Sequence, residues 1–273
     1  MFKADPSAQP SAEPAGESAT DSSALAAPRG LEDPVLLRRR EDGRDLPALV
    51  WRLPRPLLGL SSAPLGGGLG LRHWVINATV PMSYQRVDPD AHLTELARQF
   101  GLAGPGVGLL TGVDVSRVRH LSEDGIRVWA TVGIGTPTWA AAPDESGTGE
   151  DTTSRGEDGG EPDHADETAA AYPVGTINIV VRAPVRLSDA ALVNAVATVT
   201  EAKSQALWEL GVPGTGTATD AVTLLCPPDG PVATYGGPRS TWGSRIARLV
   251  YGVVRGGVSP EELARRRSGG GTG

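Results

Sequence analysis

The sequence predicts a single α+β domain, in which two or three helices pack against a mixed, largely antiparallel sheet. Short connections separate the early strand-like runs, which favours antiparallel pairing, and the helical patterns are concentrated later in the chain. The chain of 273 residues has one cysteine and no apolar run of the ~18 residues that a membrane helix needs. These observations exclude a disulfide framework, a multi-cysteine metal site and a membrane span, so we expect a cytoplasmic protein.

Alternation of apolar and polar residues between turn residues predicts six strands. They are Leu57–Ser62, His73–Val80, Val107–Val113, Ile126–Ile134, Thr176–Arg182 and Ala218–Cys226. Helical periodicity behind N-cap residues predicts three helices, with a short fourth one near the C-terminus. They are Pro89–Phe100, Asp189–Leu210 behind Ser188, Trp242–Val254 behind Ser240 or Thr241, and the turn that begins at Ser259-Pro260.

Two segments are too rich in small and polar residues to form a core, and we predict that both are disordered. Residues 1–46 are interpreted as a low-complexity extension, 47–256 as the domain with an acidic insertion at 142–172, and 257–273 as a tail. The extension and the insertion carry net charges of −3 and −9, so the remaining residues carry +5 of the total −7. Without a cluster of Lys and Arg, this small positive charge does not indicate a nucleic-acid partner.

The insertion leads to a first prediction, since its composition cannot support a core and its charge extends it in solvent. Replacing residues 142–170 by a short Gly/Ser linker is expected to leave both the melting temperature and the turnover rate nearly unchanged. Thermal unfolding and a rate assay on the shortened chain check this. A large fall in either quantity would mean that the insertion docks on the domain.

A serine pair and a glycine-rich loop form the first candidate site. Ser61 and Ser62 end a predicted strand, and Gly66, Gly67 and Gly68 follow in a loop whose backbone N–H groups could bind an oxyanion. The loop matches no phosphate-binding fingerprint, because no Gly-Lys-Ser/Thr ends it and no Gly-x-Gly-x-x-Gly leads into a helix. The alternative interpretation is a glycine-rich hairpin loop without a chemical role.

The next strand carries the second candidate. His73, Asn77 and Thr79 share one face of this strand. A hairpin centred on the glycines would place Ser62 opposite His73, and a hydroxyl beside an imidazole is the minimum for nucleophilic or general-base catalysis. The alternative is a histidine that is hydrogen-bonded at a strand end.

The third candidate is a charged pair. Lys203 falls in the middle of the apolar stripe of its helix, so it must extend to solvent, pair with a carboxylate or lose its proton. Asp220 alternates onto the same strand face as Val222, which directs its carboxylate toward the core, where Lys203 or His73 could pair with it. An aspartate that caps a turn is the alternative. Asn194 and Glu201 lie on the opposite side of the helix.

Five blocks taken in order give the chain a specific resemblance. They are LSSAPLGGGLGLRHWVIN (60–77), GLLTGVDV (108–115), VGTINIVV (174–181), LSDAALVNAVATVTEAKSQAL (187–207) and TGTATDAVTLLCP (215–227). Together they resemble the adenosylcobinamide amidohydrolase family. The last block departs from the family pattern, since it reads Gly-Thr-Ala-Thr-Asp, with Ala218 where the family has a second glycine before the final Thr-Asp.

The resemblance implies hydrolysis of the amide that joins aminopropanol to the corrin ring of adenosylcobinamide, which releases adenosylcobyric acid for salvage into coenzyme B12. The corrinoid is then a small-molecule substrate and no cofactor is required. No set of metal ligands with suitable spacing is found in the sequence, so we expect metal-independent hydrolysis. A corrinoid-binding or trafficking protein without catalysis, and a transferase that binds phosphate at the glycine loop, are the alternatives from other functional classes.

On this interpretation we assign roles from the chemistry of amide hydrolysis. Ser62, or a water molecule that it holds, attacks; His73 is the general base; backbone N–H groups around Gly66–Gly68 stabilise the oxyanion; and Lys203 with Asp220 orients the site or protonates the leaving amine. Further polar residues are expected to contact carboxamides of the substrate. They are Ser61, Asn77, Thr176, Asn178, Asn194, Glu201 and Thr219.

Overall fold

The computed structural model describes residues 33–142 and 175–269, and within these ranges it contains ten strands and four helices. The strands are β1 (Val35–Glu41), β2 (Arg44–Ser61), β3 (Gly68–Thr79), β4 (Val107–Thr111), β5 (Arg119–Glu123), β6 (Ile126–Val132), β7 (Ile177–Arg182), β8 (Arg186–Leu187), β9 (Ala221–Cys226) and β10 (Val232–Ala233). The helices are α1 (Pro89–Gln99), α2 (Asp189–Glu209), α3 (Thr241–Gly257) and α4 (Pro260–Gly269).

Eight of these strands form one mixed sheet with the order β4-β3-β2-β9-β7-β6-β5, and β1 pairs with β2 outside this path. The pairs β3–β4 and β7–β9 are parallel, and the other five pairs of the sheet are antiparallel. The short strands β8 and β10 form a separate parallel pair. The predicted fold class, a mixed and mostly antiparallel sheet with a few helices, is therefore confirmed.

The sheet folds over so that its two halves face each other. Trp51 of β2 and Trp129 of β6 meet edge to face, with ring centroids 5.7 Å apart, although two strands, β9 and β7, lie between β2 and β6 in the sheet order. Apolar side chains from β2, β3 and β4 pack here against side chains from β6, β7 and β9. This inner core joins the half made of β1–β4 to the half made of β5, β6, β7 and β9.

Helices cover the outer faces of both halves. Leu93 and Leu96 of α1 pack on Ile76 and Trp74 of β3, whereas α2 and α3 pack on β6, β7 and β9 to form the largest core. Because strand side chains alternate between faces, Asn77 and Asn178 point to the inner side of their strands, opposite the helices. The arrangement is a four-layer stack in which polar side chains of the two half-sheets can meet.

The helices begin where their capping residues predict. Ser188 Oγ accepts a hydrogen bond from the N–H of Ala191 at 3.1 Å, and Ser240 Oγ accepts one from Gly243 at 3.0 Å. Ser259 forms a capping box with Glu262, which confirms the short fourth helix. No helix in the described part of the chain is long and apolar enough to cross a bilayer.

The N-terminal strands differ from the sequence prediction. β1 and the first residues of β2 lie within residues 1–46, which we had interpreted as an extension of low complexity. The reason is Arg39, whose buried guanidinium pairs with Glu41 and donates to the carbonyl oxygens of Pro47 and Thr79. A charged side chain therefore occupies an inward position that hydropathy does not identify. Residues 1–32 and the insertion beyond Ala142 lie outside the described residues.

Candidate active site

A cavity of about 340 Å³ lies where the two half-sheets meet. The first half and its loops contribute Pro64, Val80, Tyr84, Pro89 and residues 109–112, and the second half contributes Thr176, Asn178, Thr219 and Ala221. The volume is at the lower end of the range for small-molecule sites, and the lining is largely apolar with a few polar groups, as is usual for such sites. Three residues that the sequence analysis selected, Thr176, Asn178 and Thr219, are among these polar groups.

A chain of buried amides connects the two halves next to this cavity. Asn178 Nδ2 donates to Asn77 Oδ1 and to the carbonyl oxygen of Leu110, both at 2.9 Å, and Asn77 Nδ2 donates to Thr131 Oγ1 at 3.0 Å. Both donors of Asn178 are therefore used. Its Oδ1 is buried and has no hydrogen-bond partner among the described residues. An unpaired buried acceptor is costly, so a ligand that donates to it gains free energy.

Two hydroxyl groups in the cavity wall are paired. Thr176 Oγ1 and Thr219 Oγ1 lie 2.7 Å apart; Thr176 directly precedes β7, and Thr219 lies two residues before β9. A hydroxyl pair uses one O–H internally, so the other O–H stays free to donate to a ligand. The pair thus has one donor for a ligand, and Asn178, whose buried Oδ1 is unpaired, lines the cavity beside it.

The predicted ion pair between Lys203 and Asp220 is present, and it holds the backbone next to these two threonines. Lys203 Nζ lies 2.5 Å from Asp220 Oδ2, and both side chains are about one-tenth exposed. Asp220 also accepts hydrogen bonds from the N–H groups of Ile177 and Thr217 and from Thr217 Oγ1. The Asp220 carboxylate therefore connects two parts of the chain. One is the loop that carries Thr219, and the other is the start of β7, directly after Thr176.

Gly216 shows how closely the chain approaches this pair. A Cβ atom at this position would lie 2.3 Å from Asp220 Oδ2 and 2.4 Å from Lys203 Nζ. Any larger residue would therefore displace the ion pair. The glycine of this block is required by the close packing of backbone against buried charges.

The predicted contact between Ser62 and His73 is not formed. β3 starts at Gly68, so Ser61 is paired with Gly68, and His73 lies about 16 Å farther along the strand. The backbone N–H of His73 donates to Pro105, and its ring lies against Gly104. Ser62 Oγ accepts instead from the N–H of Val222, and this bond anchors the end of β2 to the start of β9. The assignment of His73 as the base for Ser62 was wrong because the hairpin is centred on Pro64 and Leu65 rather than on the glycines, so that Gly68 already pairs with Ser61.

The glycine loop is held by a cation that the sequence analysis missed. The Arg72 guanidinium donates to the carbonyl oxygens of Gly66, Gly67 and Gly68, at 2.9, 3.3 and 3.3 Å. Burial lowers the pKa of Arg72, which has no carboxylate partner among the described residues. None of the three glycines lines the cavity, so the structure does not bring them to the amide-binding groups.

The remaining candidates lie outside the cavity wall. Ser61 Oγ pairs with Thr223 Oγ1 at 2.8 Å inside the sheet, and the side chain of Asn77 is hydrogen-bonded to Thr131 and Asn178. Asn194 and Glu201 lie on the exposed side of α2, and Asn194 is about 13 Å from Lys203 along the helix. The structure therefore separates these two residues from the cavity.

Tyr84 and His92 also lie beside this site, and sequence reasoning did not select either of them. Tyr84 stands in an irregular loop, where no periodicity marks it, and its hydroxyl is 3.0 Å from His92 Nδ1. His92 occupies a buried position of α1 next to Leu93 and Leu96, which was the available signal. Across residues 33–142 and 175–269, no group of three or more His, Cys, Asp or Glu side chains is placed to hold a metal ion.

Comparison with known proteins gives the family of the chain. The family model described as adenosylcobinamide amidohydrolase matches residues 33–264, which span every strand of the folded sheet. The adenosylcobinamide amidohydrolase of Methanosarcina mazei is 28% identical over 206 residues, covering 72% of this chain and 88% of that protein. The protein of the same name from Halobacterium salinarum is 35% identical over 158 residues, or 57% and 60% of the two chains. The chain therefore belongs to the adenosylcobinamide amidohydrolase family and is an amidohydrolase.

Proposed function

We propose that the enzyme hydrolyses the amide that joins aminopropanol to the corrin ring of adenosylcobinamide. The products are adenosylcobyric acid and aminopropanol, and the reaction serves cobinamide salvage toward coenzyme B12. The corrinoid is the substrate, and the reaction needs no cofactor or metal ion. We further place the reaction in the cytoplasm, since the one cysteine is a buried free thiol and no disulfide is available to the fold.

The observation that carries the proposal is the match between the cavity wall and a secondary amide. Such an amide has one N–H donor and one carbonyl acceptor. The wall has an unpaired acceptor, Asn178 Oδ1, and one free O–H in the pair of Thr176 and Thr219. If the amide N–H donates to Asn178, the buried acceptor of the wall is satisfied, and the amide carbonyl can accept from a threonine at the same time.

The size of the cavity supports the same orientation. A volume of about 340 Å³ accommodates the amide and its short aminopropanol arm, whereas the corrin macrocycle is larger than the cavity. The ring then lies across the opening of the cavity. Its rim carboxamides stay close to solvent.

In the proposed mechanism, the threonine O–H donates to the carbonyl oxygen, where negative charge develops as the tetrahedral intermediate forms. Water attacks the carbonyl carbon, since the strand register separates Ser62 from the base first assigned to it. The pair of Lys203 and Asp220 keeps both threonines in place through the backbone of residues 177 and 217. Fixed donors of this kind act without reorganisation during the reaction.

Turnover tests the proposal. Purified protein is incubated with adenosylcobinamide, and mass spectrometry follows adenosylcobyric acid and aminopropanol. We expect both products to accumulate in equal amounts. Tight binding of adenosylcobinamide without product would contradict hydrolysis and favour the corrinoid-binding alternative. A requirement for a nucleotide would instead indicate a transferase.

A further inference from the structure

A row of hydrogen-bonded side chains leads from the cavity to a partly buried carboxylate, that of Glu41 on β1. Tyr84 lines the cavity, and its hydroxyl is 3.0 Å from Nδ1 of His92. Nε2 of the same ring is 3.0 Å from Glu41 Oε1, and Glu41 Oε2 accepts from Arg39 Nε at 2.9 Å. The rings of Tyr84 and His92 are stacked, with centroids 5.5 Å apart.

The partners of His92 determine where its proton lies. A carboxylate can only accept, so Nε2 carries the hydrogen and donates it to Glu41. In the neutral ring, Nδ1 is then the acceptor, and the Tyr84 hydroxyl donates to it. The hydroxyl oxygen of Tyr84 keeps lone pairs with which it can accept a proton from a molecule in the cavity.

We propose that Tyr84 is a catalytic residue that exchanges protons with the reacting amide, and that His92 and Glu41 position it and store its proton. This inference rests on the proposed hydrolysis. As water attacks, its oxygen bonds to the carbonyl carbon and one of its protons moves to the Tyr84 oxygen. The Tyr84 proton moves to His92 Nδ1, and Glu41 stabilises the resulting imidazolium. When the C–N bond breaks, the proton returns through Tyr84 to the leaving nitrogen, so the relay ends as it began.

The environment keeps the resting relay neutral. Burial lowers the pKa of His92 and raises the pKa of Tyr84, so at neutral pH the imidazole can accept and the phenol retains its proton. Glu41 favours the protonation of His92, and other charged groups also face the ring. Arg39 of β1 and Arg86 of the preceding loop oppose protonation, whereas Glu95 of α1 favours it.

The test compares Tyr84→Phe with Tyr235→Phe. Tyr84→Phe keeps the stacked ring but removes the hydroxyl, so kcat is expected to fall at least ~10²-fold while KM and the melting temperature change little. Tyr235 is 75% exposed and lies outside the cavity wall, so its variant should keep the wild-type rate. Normal kcat in Tyr84→Phe would overturn the relay while leaving the proposed hydrolysis intact. A wild-type protein that does not turn over adenosylcobinamide would instead overturn the hydrolysis itself.

The pH profile separates proton storage from a merely structural role. Activity requires neutral His92, so kcat should be lost as the pH falls through its pKa, which lies below the ordinary value of about 6.5. Glu41→Gln preserves the shape but removes the negative charge that favours the imidazolium. In this variant, the acidic limb of the pH profile, over which kcat is lost, should therefore move to lower pH. The kcat itself should fall about 10-fold or more. An unchanged limb in Glu41→Gln would contradict the proposed role of Glu41.

The protonation state of His92 can also be measured without turnover. Heteronuclear NMR of the imidazole nitrogens should show hydrogen on Nε2 and a lone pair on Nδ1 at neutral pH. Tyr84→Phe should shift the Nδ1 resonance and leave Nε2 nearly unchanged. Hydrogen on Nδ1 in the wild-type protein would overturn the relay, because Tyr84 could then not donate to the ring.

Discussion

Replacing Asp220 by alanine is expected to lower the free energy of unfolding by about 3–5 kcal/mol, because Lys203 is then left as a buried charge without its partner. The same change removes the acceptor for the N–H groups of Ile177 and Thr217. The loop that holds Thr219 therefore loosens, and kcat/KM should fall at least ~10²-fold. Chemical denaturation and steady-state kinetics measure the two effects.

Asp45 provides the matched control for this prediction. It forms an ion pair with Arg38 at 3.0 Å, but both side chains are more than half exposed. Asp45→Ala should therefore cost at most about 1 kcal/mol and leave the rate unchanged. Equal stability losses for Asp220→Ala and Asp45→Ala would show that the buried pair does not support the site.

The second large effect is expected at Asn178. Asn178→Ala removes the cavity acceptor and leaves Asn77 Oδ1 and the Leu110 carbonyl oxygen without their donor, at about 1–3 kcal/mol for each buried group. If Asn178 binds the scissile amide, kcat/KM should fall at least ~10²-fold. Unfolding and kinetic measurements on the same preparation separate the two losses.

Asn77→Ala is the comparison that isolates the role in binding. It breaks the same amide–amide hydrogen bond but leaves the cavity wall intact, since Asn77 does not line the cavity. We expect a similar loss of stability and a much smaller loss of kcat/KM. If the two variants lose kcat/KM equally, Asn178 acts by joining the half-sheets and does not bind substrate.

Features that depend on local sequence were predictable. The N-caps Ser188 and Ser240 mark the starts of α2 and α3, because a capping side chain bonds to the backbone only two or three residues away. The ion pair of Lys203 and Asp220 follows in the same way. Helical periodicity places one partner on the buried face of α2, and strand alternation places the other on the face that α2 covers.

Features that depend on register could not be predicted. Between Arg52 and Leu57 the register of β2 against β3 shifts, and this bulge together with the early start of β3 determines what lies opposite His73. Neither feature has a marker within a few residues of the histidine. The hairpin interpretation therefore joined Ser62 to His73, which the sheet holds apart.

The cavity itself arises from the folding of the sheet upon itself, and no local pattern encodes that fold. Asn178 meets Asn77 from the far half-sheet, about a hundred positions away in sequence, and Tyr84 reaches His92 from a loop without periodicity. The sequence could indicate that these residues are polar and in strands or helices. Only the packing of the halves shows which of them share a site.

The central claim is that the cavity between the half-sheets is where the amide is hydrolysed, and a single engineered thiol tests it most directly. Thr219 is exposed in the cavity wall, whereas the native Cys226 is fully buried and burial raises the pKa of its thiol. In Thr219→Cys, alkylation should therefore modify the new thiol and fill the cavity, with the reagent-treated wild-type protein as the control. We predict that alkylation abolishes the remaining release of adenosylcobyric acid and that adenosylcobinamide slows the alkylation. An alkylated variant that hydrolyses the substrate as fast as the untreated variant would contradict the assignment of this cavity as the active site.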